Sequence, residues 1–298
     1  MGIIQAILLA IIEGITEFLP VSSTGHMILA SSIMKIQDDS FVKTFEIAIQ
    51  IGAIMAIVML YYKRFLIKIV KDDSLKTAIP NMSRLAIVIS YFKRFLQGAS
   101  IYIKLGVAFI PTGIVGFLAY PYIKAFLFNP LGVSIALIVG GIILIIIDKR
   151  VVARETEYTD LSDISYKRSF FIGLAQCVSM VPGVSRAAAT IIGGVFNGLN
   201  KKQATEFSFL LAVPTMCAAT GYDLLKTDAS FNSQELVLLA IGLVVAFLTA
   251  WIAVKVFLKI VENYGFKHFG YYRIVIGVVF ILYMMLSGSA SLLENLGS

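Results

Sequence analysis

Apolar residues run along this chain in long blocks separated by short polar connections, and a helix needs about 20 largely apolar residues to cross the ~30 Å hydrocarbon core of a bilayer. Six blocks meet that length approximately: Phe41–Tyr62, Ile101–Ala119, Pro130–Ile147, Glu206–Leu225, Glu235–Leu258 and Tyr271–Ser287. Two further blocks carry a polar centre with a proline in it. Ile3–Met34 is broken at Pro20, and Ser169–Leu199 is broken at Pro182-Gly183-Val184-Ser185-Arg186. Proline removes a backbone donor and stops a helix, so each broken block predicts two half-length helices joined near mid-membrane. Neither half is long enough to cross alone, so each pair is expected to enter and leave on one side. The pattern therefore predicts an all-α polytopic membrane protein: six transmembrane helices plus two broken re-entrant helix pairs, in a single membrane domain spanning 1–298.

Composition agrees. Of 298 residues, 58% are hydrophobic and 14% charged, whereas soluble domains are about 25% charged; the mean hydropathy is +0.88. The formal net charge of +7 sits in connections, which reads as membrane orientation rather than nucleic-acid binding. No basic stretch precedes the first apolar run, so a cleaved signal peptide is not expected. Cys177 and Cys217 lie in apolar runs without metal-ligand spacing and read as small buried hydrophobes.

The basic residues orient the spans. Nine Lys or Arg lie from Lys63 to Lys104, between the first and second spans. The connection after the third span holds Lys149, Arg150, Arg154, Lys167 and Arg168, followed by Lys201 and Lys202; that between the fifth and sixth holds Lys255, Lys259, Lys267 and Arg273. The opposite side carries Lys35, Lys43, Lys124 and Lys226. The positive-inside rule then puts both termini outside, with the first broken pair dipping from outside and the second from the cytoplasm. Within the cytoplasmic connections, 63–104 and 148–168, Leu85–Leu96 is apolar enough for an interfacial helix.

One broken pair plus three spans makes a unit, and an odd span count inverts its second copy. Repeat 1 covers about 1–147 and repeat 2 about 168–287. Pro20 and Pro182 are 162 residues apart, and Glu46 and Glu206 are 160 apart. Such an inverted-topology repeat, with broken helices at mid-membrane, places a site at the repeat interface.

Candidate chemistry concentrates at the two breaks. Glu13 and Glu17 stand four apart and share a helix face. Ionisable groups at that depth cost roughly 2.5–3.5 kcal/mol each, so they read as a divalent-cation or acid/base pair, with a paired interior helix as the plain alternative. Ser22, Ser23, Thr24 and His26 open the second half-helix, whose free N–H groups and dipole suit an anion. Capping alone explains any one hydroxyl; three beside a histidine exceed that need. Either a hydroxyl nucleophile activated by a base or a nucleophilic histidine fits the spacing. Arg186, at the other break, needs an anion: a phosphate, or an ion pair with Glu13 or Glu17. Gln176 and Asp223 are candidates for lining the same cavity, while His268 reads as interfacial. Together these groups describe an anionic-phosphate site within the bilayer, for a substrate with a phosphate head and a hydrocarbon tail.

The stretch Glu13-Gly14-Ile15-Thr16-Glu17-Phe18-Leu19-Pro20-Val21-Ser22-Ser23-Thr24-Gly25-His26 resembles a motif of the bacterial undecaprenyl-diphosphate phosphatase family, also known for bacitracin resistance. Pro182-Gly183-Val184-Ser185-Arg186 is similar to its second motif, with support from Glu206–Pro214. The resemblance implies hydrolysis of undecaprenyl diphosphate to undecaprenyl phosphate and inorganic phosphate, which recycles the lipid carrier for cell-wall synthesis. It also implies a divalent cation, Mg²⁺ or Ca²⁺, on Glu13 and Glu17, and a location in the bacterial inner membrane, where the positive-inside count has the site facing outward. The functional set carried over is Glu13, Glu17, Ser23, His26 and Arg186, with Ser22, Thr24, Gly183 and Ser185 as phosphate neighbours. The partners implied are a polyprenyl diphosphate lipid and the bilayer, without nucleic acid, and with a homodimer left open. In one respect the chain departs from the family: Ala187-Ala188 stand where Ser-Gly is usual. Two other classes are compatible with the layout, namely a polyprenyl-phosphate flippase at the same midplane site and an ion-coupled carrier or channel.

Overall fold

Where apolar blocks are long enough to span, helices form, and at the two breaks around Pro20 and Pro182-Gly183 helices stop, whereas Pro111 and Pro214 are carried inside helices. The computed structural model describes residues 1–65, 89–90, 99–126, 130–150, 160–226 and 231–296. Among these residues there is no strand and there are ten α-helices: α1 Ile3–Thr16, α2 Ser23–Ile33, α3 Ser40–Leu60, α4 Ser100–Phe126, α5 Pro130–Arg150, α6 Tyr166–Cys177, α7 Arg186–Phe196, α8 Lys201–Lys226, α9 Ser233–Tyr264 and α10 Lys267–Leu296. Six of them (α3, α4, α5, α8, α9 and α10) are long and apolar enough to cross a membrane. The protein is thus an all-α polytopic membrane protein. The 14 residues of α1 reach only about 21 Å at 1.5 Å per residue. The interfacial helix expected at Leu85–Leu96 falls largely outside the described residues, as does much of the 148–168 connection.

The span boundaries differ from the sequence expectation chiefly at polar ends. α8 begins at Lys201 rather than Glu206, α9 runs to Tyr264, and α10 starts at Lys267 rather than Tyr271. Caps set several starts. The Asp39 carboxylate accepts from the Phe41 N–H at 2.8 Å, and Asn232 forms a capping box with Glu235. Two basic residues counted among the connections are in fact buried inside spans. Lys104 lies in α4 with its ammonium on Ser100 Oγ at 2.8 Å, and Arg273 lies two turns into α10, fully buried. Of the cysteines, Cys177 is half-buried, but Cys217 is exposed. Its face of α8 turns outward, where a small apolar side chain costs nothing against lipid.

Helix pairing has an internal regularity. α1 packs on α9 and α6 on α4; α3 packs on α9 and α8 on α4; α3 packs on α8, and α5 on α10. Exchanging each of the first five helices with its counterpart among the last five turns these six pairs into one another, although the close α7–α8 packing has no comparable α2–α3 counterpart among the described residues. Close approach makes the first two pairs possible. A Cβ on Gly14 would lie 1.9 Å from Thr249 Oγ1 and 2.6 Å from the Ala246 carbonyl oxygen, and one on Gly173 would lie 2.0 Å from the Ala108 carbonyl oxygen. Small residues at such crossings let backbones touch, which is how membrane helices gain contact without a hydrophobic driving force.

The core centres on Phe18, just after α1. Its ring meets Phe209 edge-on at 5.6 Å, and Phe209 in turn contacts Tyr61 and Phe257. At the far ends of the helices, Asp148 accepts from Lys201 Nζ at 2.6 Å and from the Phe266 N–H at 2.9 Å. That carboxylate ties α5, α8 and the α9–α10 connection together.

Candidate functional site

The two breaks have the same local build. Ser22 and Ser185 are each the residue before the second half-helix, each with positive φ (71° and 76°). Each hydroxyl accepts from the backbone N–H three residues on, Gly25 for Ser22 and Ala188 for Ser185, both at 3.2 Å. A non-glycine residue in this region costs on the order of 1–3 kcal/mol and persists only where surroundings overdetermine it. Here the cap bond and the facing turn do so. Ser185 Oγ also reaches the Leu19 carbonyl at 3.5 Å, so the turns touch.

Between them lies a cavity of about 180 Å³. The first break contributes Glu17, Ser22, Ser23 and Thr24, the second Gly183, Ser185 and Arg186, and α3 and α8 add Gln50 and Thr215. Seven of the nine expected site residues therefore face one space. Arg186 Nη2 donates to Glu17 Oε1 at 3.0 Å across the break, while its Nη1 donates to the Ser208 carbonyl at 3.0 Å. The guanidinium also lies 5.7 Å from the centre of the Phe18 ring, and its Nε–H has no partner among the described residues. Ser23 Oγ donates to the other Glu17 oxygen, Oε2. One carboxylate thus holds both the hydroxyl and the guanidinium.

Two expected residues stand outside the cavity wall. Glu13 is buried one turn behind Glu17, and its Oε1 has no partner. His26 Nδ1 is 2.8 Å from the Ser22 carbonyl and its Nε2 is 2.8 Å from Tyr272 Oη, with the planes of the two rings nearly parallel at 2°. A carbonyl only accepts, so Nδ1 carries the proton and donates to Ser22, and in the neutral ring Nε2 accepts from the tyrosine. The histidine holds the turn rather than facing the cavity.

Gln176, a candidate cavity residue, is fully buried and donates to Thr112 at 2.8 Å and to Thr215 at 3.2 Å. Asp223 is half-buried on α8, and His268 meets Tyr264 edge-on. Sequence reasoning missed Gln50, Thr215, Tyr272 and Arg273. The last had a visible signal: Gly140-Gly141 on α5 leaves room for its head, since a Cβ on Gly140 would lie 2.1 Å from Arg273 Nη2.

Among the described residues no three acidic, histidine or cysteine side chains gather as metal ligands. Mg²⁺ commonly takes only one or two carboxylates plus substrate phosphate. The orphaned oxygen of Glu13 beside Glu17 is the kind of donor such an ion would satisfy, so the residues fit.

Comparison with known proteins covers nearly the whole chain. The model of a family described as bacitracin resistance protein BacA matches residues 6–279. Among curated relatives named undecaprenyl-diphosphatase, the one from Wolinella succinogenes is 44% identical over 284 residues, covering 95% of this chain and 99% of the relative. That from Aquifex aeolicus is 45% identical over 282 residues (94% and 98%), and that from Persephonella marina is 45% identical over 285 residues (96% and 100%). With both breaks, their cavity and these matches in hand, the chain belongs to the bacitracin resistance protein BacA family.

Proposed function

We propose that this protein is an undecaprenyl-diphosphate phosphatase, which cleaves the terminal phosphate from undecaprenyl diphosphate and returns the monophosphate carrier to cell-wall synthesis. The observation that carries the reading is the Ser23–Glu17–Arg186 chain of contacts at the cavity. The transport reading receives no support from the relatives' names, which describe a hydrolytic activity.

The chemistry follows from positions. The diphosphate lies in the cavity with its terminal phosphorus over Ser23, and Arg186 turns part of its guanidinium from Glu17 to the phosphate oxygens, where planar bidentate pairing favours it. Glu17 accepts the Ser23 proton as the hydroxyl oxygen attacks phosphorus. The new Ser–O–P bond forms as the bond to the bridging oxygen breaks, and the lipid leaves as its monophosphate. Glu17 passes that proton to the leaving monophosphate and, ionised again, takes a proton from the water that attacks the phosphoserine, returning it to the Ser23 oxygen as inorganic phosphate leaves. Free N–H groups at the starts of α2 and α7 face the accumulating charge. His26 holds Ser22, and with it the start of α2. A Mg²⁺ or Ca²⁺ ion on Glu13 and Glu17 would neutralise phosphate charge when bound. Every group named comes from a single chain, so a homodimer is not needed for the chemistry.

Location extends the reading. Each broken pair enters and leaves on one side of a bacterial inner membrane, the two halves forming an inverted repeat. What supports this is the exchange symmetry of helix pairs and the matching Ser22 and Ser185 caps. The positive-inside count opens the first break outward, so phosphate is released there.

The test is phosphate release from a C55 diphosphate by the purified protein in detergent, compared with Glu17→Ala and Arg186→Ala. Loss in both variants is expected. Undiminished hydrolysis in both would refute the assignment.

A further inference from the structure

Behind the two turns, on the side away from the cavity, sits a cation for which the chemistry above has no use. Arg273, on α10, is fully buried. All five of its N–H donors are used, and every acceptor is a backbone carbonyl. Nε reaches Leu137 at 3.2 Å and Nη2 reaches Ala136 at 3.2 Å, both on α5. Nη1 bridges the breaks, with Pro20 at 3.0 Å and Val184 at 2.9 Å, and Nη2 adds Gly183 at 2.8 Å. A buried guanidinium costs several kcal/mol in desolvation, and among the described residues no carboxylate pairs with this one. Membrane packing does not require a charge here, because carbonyls at a break can be satisfied by hydroxyls or amides.

The carbonyls it binds decide what it does. In a trans peptide the C=O and N–H point opposite ways, so a cation gripping the Val184 carbonyl directs the Ser185 N–H away from itself. Ser185 lines the cavity, and among the described residues its N–H has no acceptor. The Val184–Ser185 unit is therefore polarised from behind, with its donor end left for an anion. Pro20, held by the same nitrogen as Val184, precedes the Ser22–Thr24 wall by two residues. The side chain thereby fixes the distance between the walls that carry Ser23 and Arg186.

We propose that Arg273 is a positioning residue for the phosphate site: it locks the two turns in register and supplies a fixed positive charge behind the cradle, without touching substrate. The inference rests on the phosphate occupying the cavity as proposed above. Preorganised donors and charges of this kind are worth about 10²–10³ in turnover.

The experiment compares wild type with Arg273→Gln, Arg273→Lys and Gly140→Ala, the last of which pushes on the guanidinium without altering any charge. Three quantities are read: kcat and KM on C55 diphosphate, the rise in melting temperature given by methylenediphosphonate, and the melting temperature without ligand. The expected result is a fall in kcat of about 100-fold in Arg273→Gln with a raised KM, and a methylenediphosphonate shift that is lost. Recovery of about tenfold is expected in Arg273→Lys, and a fall of about tenfold in Gly140→Ala, whose melting temperature drops less than that of Arg273→Gln. Wild-type kcat in a folded Arg273→Gln overturns the proposal. So does a pattern in which Gln and Lys variants lose activity and stability equally while Gly140→Ala is silent, since that describes a structural plug. Should Arg273→Gln fail to fold, the Lys and Gly140→Ala arms decide alone. A wild type that shifts with methylenediphosphonate but hydrolyses nothing defeats the phosphatase reading, and the shift still tests Arg273.

Discussion

Glu17 and Arg186, 169 positions apart in the chain, meet at 3.0 Å as the only direct ion pair between the two breaks among the described residues. One stands just past the end of α1 and the other begins α7. Had the pair merely closed a packing gap, both partners would be saturated. Instead Arg186 keeps an unpaired Nε–H, and both residues face a cavity.

Removing either partner should therefore damage function and fold differently. Arg186→Lys keeps the charge but not the planar fork, and turnover should fall about 10²–10³-fold with little change in melting temperature. Glu17→Gln leaves a guanidinium buried without its counter-charge, which costs about 3–5 kcal/mol. Turnover and thermal unfolding of the purified variants separate the two effects. Equal destabilisation by both substitutions contradicts the assignment.

The nucleophile is tested by three substitutions around one turn. Ser23→Ala should abolish turnover, because it removes the hydroxyl that Glu17 holds. Ser22→Ala deletes a cap to the Gly25 N–H and should cost about 1 kcal/mol of stability with activity retained in part. His26→Asn can still donate to the Ser22 carbonyl and should keep far more activity than Ser23→Ala. Burst-phase labelling with a ³²P-diphosphate checks the order directly: label should remain on the His26→Asn protein and be absent from Ser23→Ala. Phosphohistidine in the wild type would reverse the roles.

Much of this site was legible in the chain because charges and prolines are rare in apolar blocks, so Glu17, Pro20, Pro182 and Arg186 stood out against their surroundings. The six spans were legible for the same reason, through length alone. What escaped is instructive. Arg273 looked like one more loop cation, since two helical turns separate a connection from the buried interior and boundaries blur over that distance. Gln50 and Thr215 escaped because uncharged polar residues are common along helices and only three-dimensional packing picks out those that reach a cavity. His26 was legible as a member of the cluster, but not its direction. Its ring lies toward Tyr272, 246 positions away, and no local spacing encodes that.

The matched crossings make a packing prediction. Gly14 and Gly173 sit against backbone atoms of α9 and α4 respectively, so a methyl group at either has nowhere to go. Overpacked contacts of this kind cost about 1–3 kcal/mol. Gly14→Ala and Gly173→Ala should each lower the melting temperature, and the double variant should add nearly fully because the crossings are separate. Gly14→Ala should also slow turnover more, since α1 leads directly into Glu17 whereas α6 leads to the second break through an extra short turn, Val178–Met180. A silent Gly14→Ala contradicts the close approach.

Orientation is open to a labelling experiment whose sign the corrected charge count sets. With Lys104 and Arg273 withdrawn into the spans, eighteen Lys or Arg remain on the side assigned to the cytoplasm against four on the other, so the asymmetry that orients the spans persists. Thr24 is exposed and lines the cavity, whereas Lys63 is exposed at the far end of α3. Thr24→Cys should react with an impermeant maleimide added outside intact cells, and Lys63→Cys should react only after permeabilisation. The native cysteines are first replaced, because Cys217 is itself exposed. Added methylenediphosphonate should slow labelling of Thr24→Cys but not of Lys63→Cys, as an anion filling the cavity covers one and not the other. Labelling of Lys63→Cys from outside would place the first break on the cytoplasmic face and route the released phosphate inward.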